Sequence, residues 1–383
     1  MLDRRSFLIR GALAALAAGI APRMAFARAA TERRFVFIIQ RGAADGVATL
    51  IPAGDPGFAA ARPTLLAETA AATRLDSLFS LHPALAEAAG LYRQKQALFV
   101  HAVASRYRDR SHFEGQNVLE TGGASAYATK DGWMNRLLDL LPQDEARAIA
   151  VSSTVPSALR GPHEVASFAP SALPDASDDL LQRVTMLYQG DEQLHALWGE
   201  ALATRQLAGD LARDNGRDAS ATGALAARLL APAEGARIAM IETGGWDTHS
   251  AQRSRLASQL TGLDAMLAAL RQGLGAAWSD TLVLVATEFG RTVALNGTGG
   301  TDHGTGAAAM LFGGTVRGGR VLADWPGLAP AALYEGRDLK PTMALDAVIA
   351  GALAGHFALD PARVGRALFP GLGETRPVPQ LVA

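Results

Sequence analysis

Acidic and histidine side chains occur as close pairs at two places in the chain. Asp247 and His249 are two residues apart in TGGWDTH, and Asp302 and His303 are adjacent in GTDHG. A carboxylate and an imidazole at such short spacing can supply an oxygen and a nitrogen ligand to one divalent cation. The alternative for the first pair is that Asp247 caps the following helix and His249 is merely solvated.

Two further carboxylates follow predicted strands. Asp45 lies in QRGAADG, and Glu288 lies in EFGR, which also brings Arg291 to a strand end. Each has an ordinary structural interpretation, because Asp before Gly often caps a turn and a carboxylate beside a guanidinium can form an ion pair. Their occurrence at successive strand ends favours a shared site, since loops far apart in sequence meet at one edge of a parallel sheet.

A hydroxyl that could act as a nucleophile lies in SRYRDRSHFEGQ, residues 105–116. Ser111 with Glu114 matches the S-x-x-E capping box, so Ser111 could simply cap a helix. The positive end of a helix dipole and a nearby metal ion would also favour an alkoxide at this position. Arginines in the same segment add charge suited to a phosphate or sulfate ester, unless they are solvated loop charges; they are Arg106, Arg108 and Arg110.

Short, nearly continuous apolar runs alternate with longer helical patterns along the chain. This alternation predicts an α/β fold with a mostly parallel central sheet and helices on both faces. The predicted strands are Phe35–Gln40, Ala97–Val103, Ala148–Ser152, Arg237–Glu242, Thr281–Thr287 and Ala308–Phe312.

Helical patterns lie between these strands. The predicted helices are Pro83–Lys95, Phe113–Glu120, Leu180–Leu230 with breaks near Gly190 and residues 210–217, Ala251–Leu274 and Pro341–Phe357. We expect one domain over residues 31–383, with a helical insertion at about residues 171–232 that is approached through a proline-rich stretch. The glycine-rich stretch at residues 313–319 predicts a turn, because no phosphate-binding P-loop pattern accompanies it.

The composition is that of a globular protein without disulfides. Of the 383 residues 49% are hydrophobic and 19% are charged, there is no Cys, and the formal net charge is −1. This composition excludes a disordered chain or a disulfide scaffold, and the charge argues against nucleic acid as a partner.

The N-terminus has the pattern of an export signal. A charged start containing Arg4 and Arg5 precedes an apolar run, and Ala25-Phe26-Ala27 matches a cleavage site. The arginine pair resembles a twin-arginine signal, which predicts passage through the twin-arginine translocase to a bacterial periplasm or beyond. An ordinary secretory signal is the alternative. The apolar run is too short to remain as a membrane anchor.

Six ordered motifs together resemble the bacterial family called domain of unknown function 1501 (DUF1501), within the alkaline phosphatase and sulfatase-like superfamily. The motifs are RGAADG at 41–46, RSHFEGQ at 110–116, GW at 132–133, GGWDTH at 244–249, TEFGRT at 287–292 and GTDHG at 300–304. The resemblance implies an alkaline-phosphatase-like fold, with a metal centre at the carboxyl edge of the sheet and a nucleophilic hydroxyl at a helix N-terminus.

Carried over motif by motif, the resemblance implies roles for individual residues. Ser111 takes the place of the nucleophile, and the positions implied as metal ligands are Asp45, Asp247, His249, Glu288 and His303. Phe289 departs from the pattern, because it replaces a histidine ligand and a phenyl ring cannot bind a metal. His112 or Asp302 could compensate, or one ion could bind instead of two. The ion would be Zn²⁺, Mg²⁺, Mn²⁺ or Ca²⁺.

Two hypotheses of function follow. The first is an exported metal-dependent hydrolase of phosphate or sulfate esters, in which Ser111 attacks a small anionic ester and Arg110 or Arg291 clamps the anion. The second is a non-catalytic protein of the cell envelope that retains the fold and binds or assembles an envelope component. Sulfatase chemistry through formylglycine is excluded, because the chain has no Cys.

Overall fold

The computed structural model describes residues 32–142, 147–171, 176–213, 218–232, 235–371, 373 and 376–383. The predicted export signal and its cleavage site lie outside the described residues. Within the described residues, no helix combines the length and the apolar character needed to cross a membrane.

A large sheet forms the centre of the molecule. The strands are β1 Arg34–Gln40, β2 Leu50–Ile51, β3 Thr73–Arg74, β4 Ser80–Leu81, β5 Ala97–Ala104, β6 Ala148–Val151, β7 Ala166–Ser167, β8 Ile238–Thr243, β9 Thr281–Ala286, β10 Ala307–Phe312, β11 Arg320–Leu322 and β12 Met343–Ala344. The order in the main sheet is β11-β5-β10-β9-β1-β8-β6-β7, with β12 also pairing with β5. A small antiparallel sheet contains β2, β4 and β3.

The main sheet is mostly parallel, as predicted. All its pairings are parallel except those of β10, which runs antiparallel to both β9 and β5. An antiparallel neighbour needs no crossover, so the connection from β9 to β10, residues 287–306, stays at one edge of the sheet. All six predicted strands are confirmed within one residue of their expected bounds, and all belong to this sheet.

Both faces of the sheet are covered, which explains the continuous apolar runs. In β1, Val36 and Ile38 pack into the core on one face, whereas Phe35, Phe37 and Ile39 pack into the core on the other. Alternate side chains of a strand point to opposite faces, so every residue of such a strand is buried.

Helices fill the connections between the strands. They are α1 Gly46–Thr49, α2 Pro56–Ala61, α3 Leu66–Ala71, α4 Ala86–Arg93, α5 His112–Thr121, α6 Trp133–Leu138, α7 Asp178–Tyr188, α8 Glu192–Ala208, α9 Ala219–Leu230, α10 Gln252–Leu274, α11 Leu345–His356 and α12 Pro361–Leu368. Short 3₁₀ turns occur at Pro63–Leu65, Ser157–Leu159, Gly209–Arg213, Gly275–Asp280 and Pro330–Ala332. Helices α4, α9 and α10 bury side chains on one face of the sheet, and α6, α11 and α12 on the other. Helices on both faces are therefore confirmed.

The stretch predicted as an insertion, residues 171–232, carries α7, α8 and α9 between β7 and β8. Helix α9 packs closely on α10, where Gly223 lies against the backbone of Met266. Helices α7 and α8 contact each other through a hydrogen bond from Trp198 Nε1 to Thr185 Oγ1 at 2.8 Å.

Candidate metal centre

Five chain segments meet at one edge of the main sheet. They follow the carboxyl ends of β1, β5, β8 and β9 and precede the amino end of β10, which starts at the same edge because it is antiparallel. Gly42, with φ +117°, lets the β1 loop approach the β8 loop, since a Cβ there would lie 2.6 Å from the Asp247 nitrogen. The topology thus brings the predicted ligand loops together.

The carboxylate of Asp247 is the centre of a compact group of three histidines. Its Oδ1 lies 3.0 Å from His249 Nε2 and 3.3 Å from His303 Nε2, and its Oδ2 lies 3.4 Å from His112 Nε2. The Nε2 atoms of His249 and His303 are themselves 3.0 Å apart. His112, Asp247 and His303 are half-buried and could together hold a metal ion. His249 lies outside this set of three and contacts Asp247 and His303 from the exposed side.

The three imidazoles are oriented in the same way. Each Nδ1 atom lies at hydrogen-bond distance from an oxygen outside the group: Glu288 Oε1 at 2.8 Å from His112, Asp302 Oδ1 at 3.2 Å from His249, and the Arg110 carbonyl at 2.9 Å from His303. These acceptors assign the proton of each neutral ring to Nδ1 and leave the Nε2 lone pair facing Asp247. Metal-binding histidines in proteins are held in this way.

The donor set fits a borderline divalent cation such as Zn²⁺. Two ligand atoms on one tetrahedral ion at about 2.1 Å lie roughly 3.4 Å apart, which is close to the separations within this group. His112 Nε2 is buried and makes no hydrogen bond within the described part of the chain. A cation between the facing Nε2 atoms would satisfy lone pairs that otherwise repel one another.

Glu288, implied by the resemblance as a ligand, lies behind His112. Its carboxylate is fully buried and accepts hydrogen bonds from the Gly42 nitrogen at 2.8 Å and Gln116 Nε2 at 3.1 Å, besides His112. Burial acts to raise the pKa of Glu288, but these donors outweigh it and the pKa lies below its usual range. In turn, the hydrogen bond to Glu288 raises the pKa of His112. The structure therefore places Glu288 where it orients the His112 ring.

Arg291 holds Asp247 in place. The guanidinium is buried, donates to Asp247 Oδ1 at 2.6 Å and to Thr301 Oγ1 at 3.0 Å, and also contacts the Thr301 carbonyl. Burial acts to raise the pKa of Asp247, but Arg291 outweighs it and the pKa lies below its usual range. Arg291, predicted to clamp an anion, is thus paired with the central carboxylate.

The outer side of the group is exposed to solvent. His249 is 46% exposed and Asp302 is 54% exposed. Asp302 Oδ1 also accepts from Asn296 Nδ2 at 3.0 Å, and this hydrogen bond lowers the pKa of Asp302. Asp302 therefore lies behind His249, as Glu288 lies behind His112.

Phe289 forms the inner wall of the centre. Its ring stacks on His112 with centroids 5.1 Å apart and packs against His303 at 5.4 Å. The Phe289 ring thus confines two histidines of this group.

Ser111 is the N-cap residue of α5, but the capping box that its spacing with Glu114 suggested does not form. The Ser111 side chain makes no capping hydrogen bond. Glu114 Oε2 instead accepts from the Tyr107 hydroxyl at 2.7 Å, and the Tyr107 oxygen accepts from the Ser111 nitrogen at 3.0 Å and also interacts with the Ser111 side chain. Ser111 directly precedes His112 in the chain.

Asp45 is not brought into the group. Its carboxylate is buried, caps α1 through the Ala48 nitrogen, and pairs with Arg62 at 2.7 Å and Gln252 Nε2 at 2.5 Å. Both carboxylate oxygens are thereby used. Asp45 therefore caps α1, the structural alternative given for it above, and does not contact the three histidines.

Arg110 contributes its backbone to the centre and directs its side chain elsewhere. The guanidinium pairs with Asp338 at 2.8 Å and with Glu335 at 2.5 Å. Its left-handed backbone, φ +61°, accompanies the turn in which its carbonyl faces His303. Arg108 donates to backbone carbonyls, and Arg106 lies 3.9 Å from Asp346.

Several residues of the centre were not identified from the sequence. Gln116 joins Glu288 to Arg41, whose guanidinium also pairs with Glu120 at 2.8 Å. Gln116 is four residues beyond His112 and so shares its helix face, a spacing that could have identified it. Tyr107 lies within the segment 105–116 already singled out, and Asn296 lies between the motifs at 287–292 and 300–304, but nothing in the type of either residue distinguished it.

Comparisons with known proteins identify a family without an assigned activity. The family model described as "Protein of unknown function (DUF1501)" matches residues 32–369. No curated protein matches the chain.

Solved structures share only a distant likeness. The C-terminal periplasmic domain of EcEptC from Escherichia coli in complex with Zn is 9% identical, with 77% of each chain covered and a TM-score of 0.34. TAB5 alkaline phosphatase, as a mutant with Mg bound, is 12% identical over 77% of this chain and 92% of that chain, with a TM-score of 0.35. Ps i-CgsB in complex with k-i-k-neocarrahexaose is 12% identical over 90% of this chain and 77% of that chain, with a TM-score of 0.41.

Proposed function

The chain belongs to the DUF1501 family, and we propose that it is an exported metal-dependent hydrolase of phosphate or sulfate esters. One observation carries the proposal: three histidine Nε2 atoms converge on the Asp247 carboxylate while each Nδ1 is held by an outside acceptor. Such an arrangement presents lone pairs to a cation.

The ion would be held by His112, Asp247 and His303, with His249 as the exposed fourth ligand. A divalent cation at this position supplies positive charge that stabilises developing negative charge on an ester oxygen and favours ionisation of a nearby hydroxyl. This charge is needed from the ion, because the guanidinium groups of Arg110 and Arg291 are already paired with carboxylates.

Ser111 is the proposed nucleophile, and Tyr107 orients it. The Tyr107 hydroxyl donates to Glu114, so its oxygen acts as an acceptor for the Ser111 nitrogen and interacts with the Ser111 side chain. In the reaction the Ser111 Oγ forms a bond to phosphorus or sulfur and the bond to the leaving oxygen breaks. The hydroxyl proton departs with the released alcohol, and water then hydrolyses the Ser111 ester.

The test is hydrolysis of a panel of phosphate monoesters, phosphate diesters and sulfate esters by the protein loaded with Zn²⁺, Mn²⁺ or Mg²⁺. We expect Ser111→Ala to lower kcat on any cleaved ester by about 1000-fold or more while metal content stays the same. Ser125→Ala, which changes an exposed serine of a nearby loop, is the matched control. Equal activity of Ser111→Ala and wild type would refute the assignment of Ser111 as the nucleophile.

A second candidate is a non-catalytic metal-binding protein of the envelope. The observation that favours it is His249 Nε2, which lies 3.0 Å from Asp247 Oδ1 on the exposed side. As a fourth ligand beside His112, Asp247 and His303 it would complete a tetrahedral ion and leave no position for substrate, as in structural zinc sites. The visible absorption of the Co²⁺-loaded protein, with and without inorganic phosphate, separates the two candidates. A spectral change on adding phosphate supports hydrolysis, and an unchanged spectrum supports the structural site.

Export through the twin-arginine pathway is part of the proposal and rests on the motif in residues 1–27. Arg4→Lys combined with Arg5→Lys should retain the protein in the cytoplasm, as measured by cell fractionation. Unchanged export of the double variant would favour the ordinary secretory route.

A further inference from the structure

The turn Asn296–Gly300, an NGTGG sequence, lies against the exposed side of the metal group. Asn296 Nδ2 donates to the His249 carbonyl at 2.9 Å and to Asp302 Oδ1 at 3.0 Å. One side-chain amide therefore joins the backbone of His249 to the carboxylate that accepts from the His249 ring, although 53 residues separate His249 from Asp302.

The turn is fixed to the His249 segment by independent contacts. Asn296 Oδ1 accepts from the Thr298 nitrogen at 3.0 Å and the Gly300 nitrogen at 2.9 Å, which closes the turn. Thr298 Oγ1 donates to the His249 carbonyl at 2.6 Å. Gly300 lies directly on the His249 carbonyl group, where a Cβ would have no room.

We propose that Asn296 is the positioning residue that holds His249 in the metal-binding orientation. This inference rests on the proposed metal centre. His112 is confined by the Phe289 ring and the buried Glu288, whereas His249 is 46% exposed, packs against the His303 ring at 4.8 Å between centroids, and pairs with the exposed Asp302. An exposed imidazole samples several rotamers unless a polar contact selects one.

The Asn296 amide restricts the His249 side chain through two contacts, one to the His249 backbone and one to the acceptor of its ring. It fixes the position of the His249 backbone through the carbonyl, and it fixes Asp302 Oδ1 at the place where the His249 Nδ1 proton points. The His249 Nε2 lone pair then faces Asp247 and His303. Without the amide, the ring and its acceptor are free to separate.

Zinc affinity of the purified protein tests the inference, measured by competition with a chromogenic chelator. We expect Asn296→Ala to weaken Zn²⁺ binding about 10-fold or more, as removal of outer partners of metal ligands does. Asn296→Asp keeps the oxygen that closes the turn but replaces the donor with a second carboxylate oxygen beside Asp302. It should weaken binding and change the visible absorption of the Co²⁺ form.

Asn117→Ala is the matched control, because Asn117 also accepts from a backbone nitrogen, that of Tyr127 at 2.7 Å, but none of its described side-chain hydrogen bonds is to the metal group. It should bind Zn²⁺ like wild type. The metal-free melting temperature of the Asn296 variants should lie within a few degrees of wild type. Wild-type affinity in Asn296→Asp overturns this inference alone, whereas absence of Zn²⁺ binding by wild type overturns it together with the proposed function.

Discussion

The two sides of the metal centre orient equivalent histidines by different means. On the inner side, His112 stacks on Phe289 and pairs with Glu288, which is 0% exposed and accepts three further hydrogen bonds. On the outer side, His249 pairs with an exposed carboxylate, Asp302, that a surface turn holds in place. The inner side is part of the folded core, so changes there should affect both stability and metal binding. Changes on the outer side should affect metal binding alone.

Asp247→Ala removes the residue common to both sides and should have the largest effect on metal binding. It takes away the carboxylate that all three histidines face and leaves the buried Arg291 without its ion-pair partner. We expect loss of Zn²⁺ binding and a fall of about 3 kcal/mol in the free energy of unfolding of the metal-free protein, because an unpaired buried charge is costly. Calorimetric titration and urea unfolding measure the two effects. Retention of Zn²⁺ at wild-type affinity contradicts the assignment.

Glu288→Ala tests the inner side. The substitution strips acceptors from Gly42, Gln116 and His112 at once, and each donor left unsatisfied costs about 1–3 kcal/mol. We therefore expect both a large loss of stability in urea unfolding and a loss of Zn²⁺ affinity of roughly 10- to 100-fold. A variant as stable as wild type would show that the inner side is not part of the core.

Acid sensitivity should come in part from a histidine remote from the centre. Burial lowers the pKa of His356 to about 3, and its ring contacts the Arg34 carbonyl at 2.9 Å. Between pH 6.5 and about 3, His356 is protonated in the unfolded chain but neutral in the folded chain. His356 therefore lowers the free energy of unfolding as the pH falls through this window. His356→Gln should flatten the slope by up to about 1.4 kcal/mol per pH unit. Urea unfolding of the metal-free protein at pH 7, 5 and 4 measures this, and an unchanged slope contradicts it.

Asp302→Asn tests the outer side and should have the smallest effect. The residue is exposed, so we expect the free energy of unfolding of the metal-free protein to change by no more than about 0.5 kcal/mol. Zn²⁺ affinity should fall, but by less than in Glu288→Ala, since the amide can still offer an oxygen to the His249 ring. A stability loss as large as that of Glu288→Ala would remove the distinction between the two sides.

The sequence predicted the sheet and the loops that meet at its edge, because apolar runs and strand ends are local patterns. It did not predict which of the carboxylates contact the metal group. Asp45 and Glu288 follow neighbouring strands, yet Asp45 pairs with Arg62 and Glu288 accepts from His112. These partners come from other segments of the chain, so the pairing depends on tertiary contacts that a local sequence pattern does not contain. Ser111 and Glu114 show the same limit, since Tyr107 takes Glu114 away from the capping box.

The metal content of protein purified without chelator, compared between wild type and Asp247→Asn, tests the central claim most directly. The convergence of His112, His249 and His303 on one carboxylate predicts one divalent ion per wild-type chain and none in the variant. No ion in wild type, or equal content in the two proteins, would contradict the metal centre.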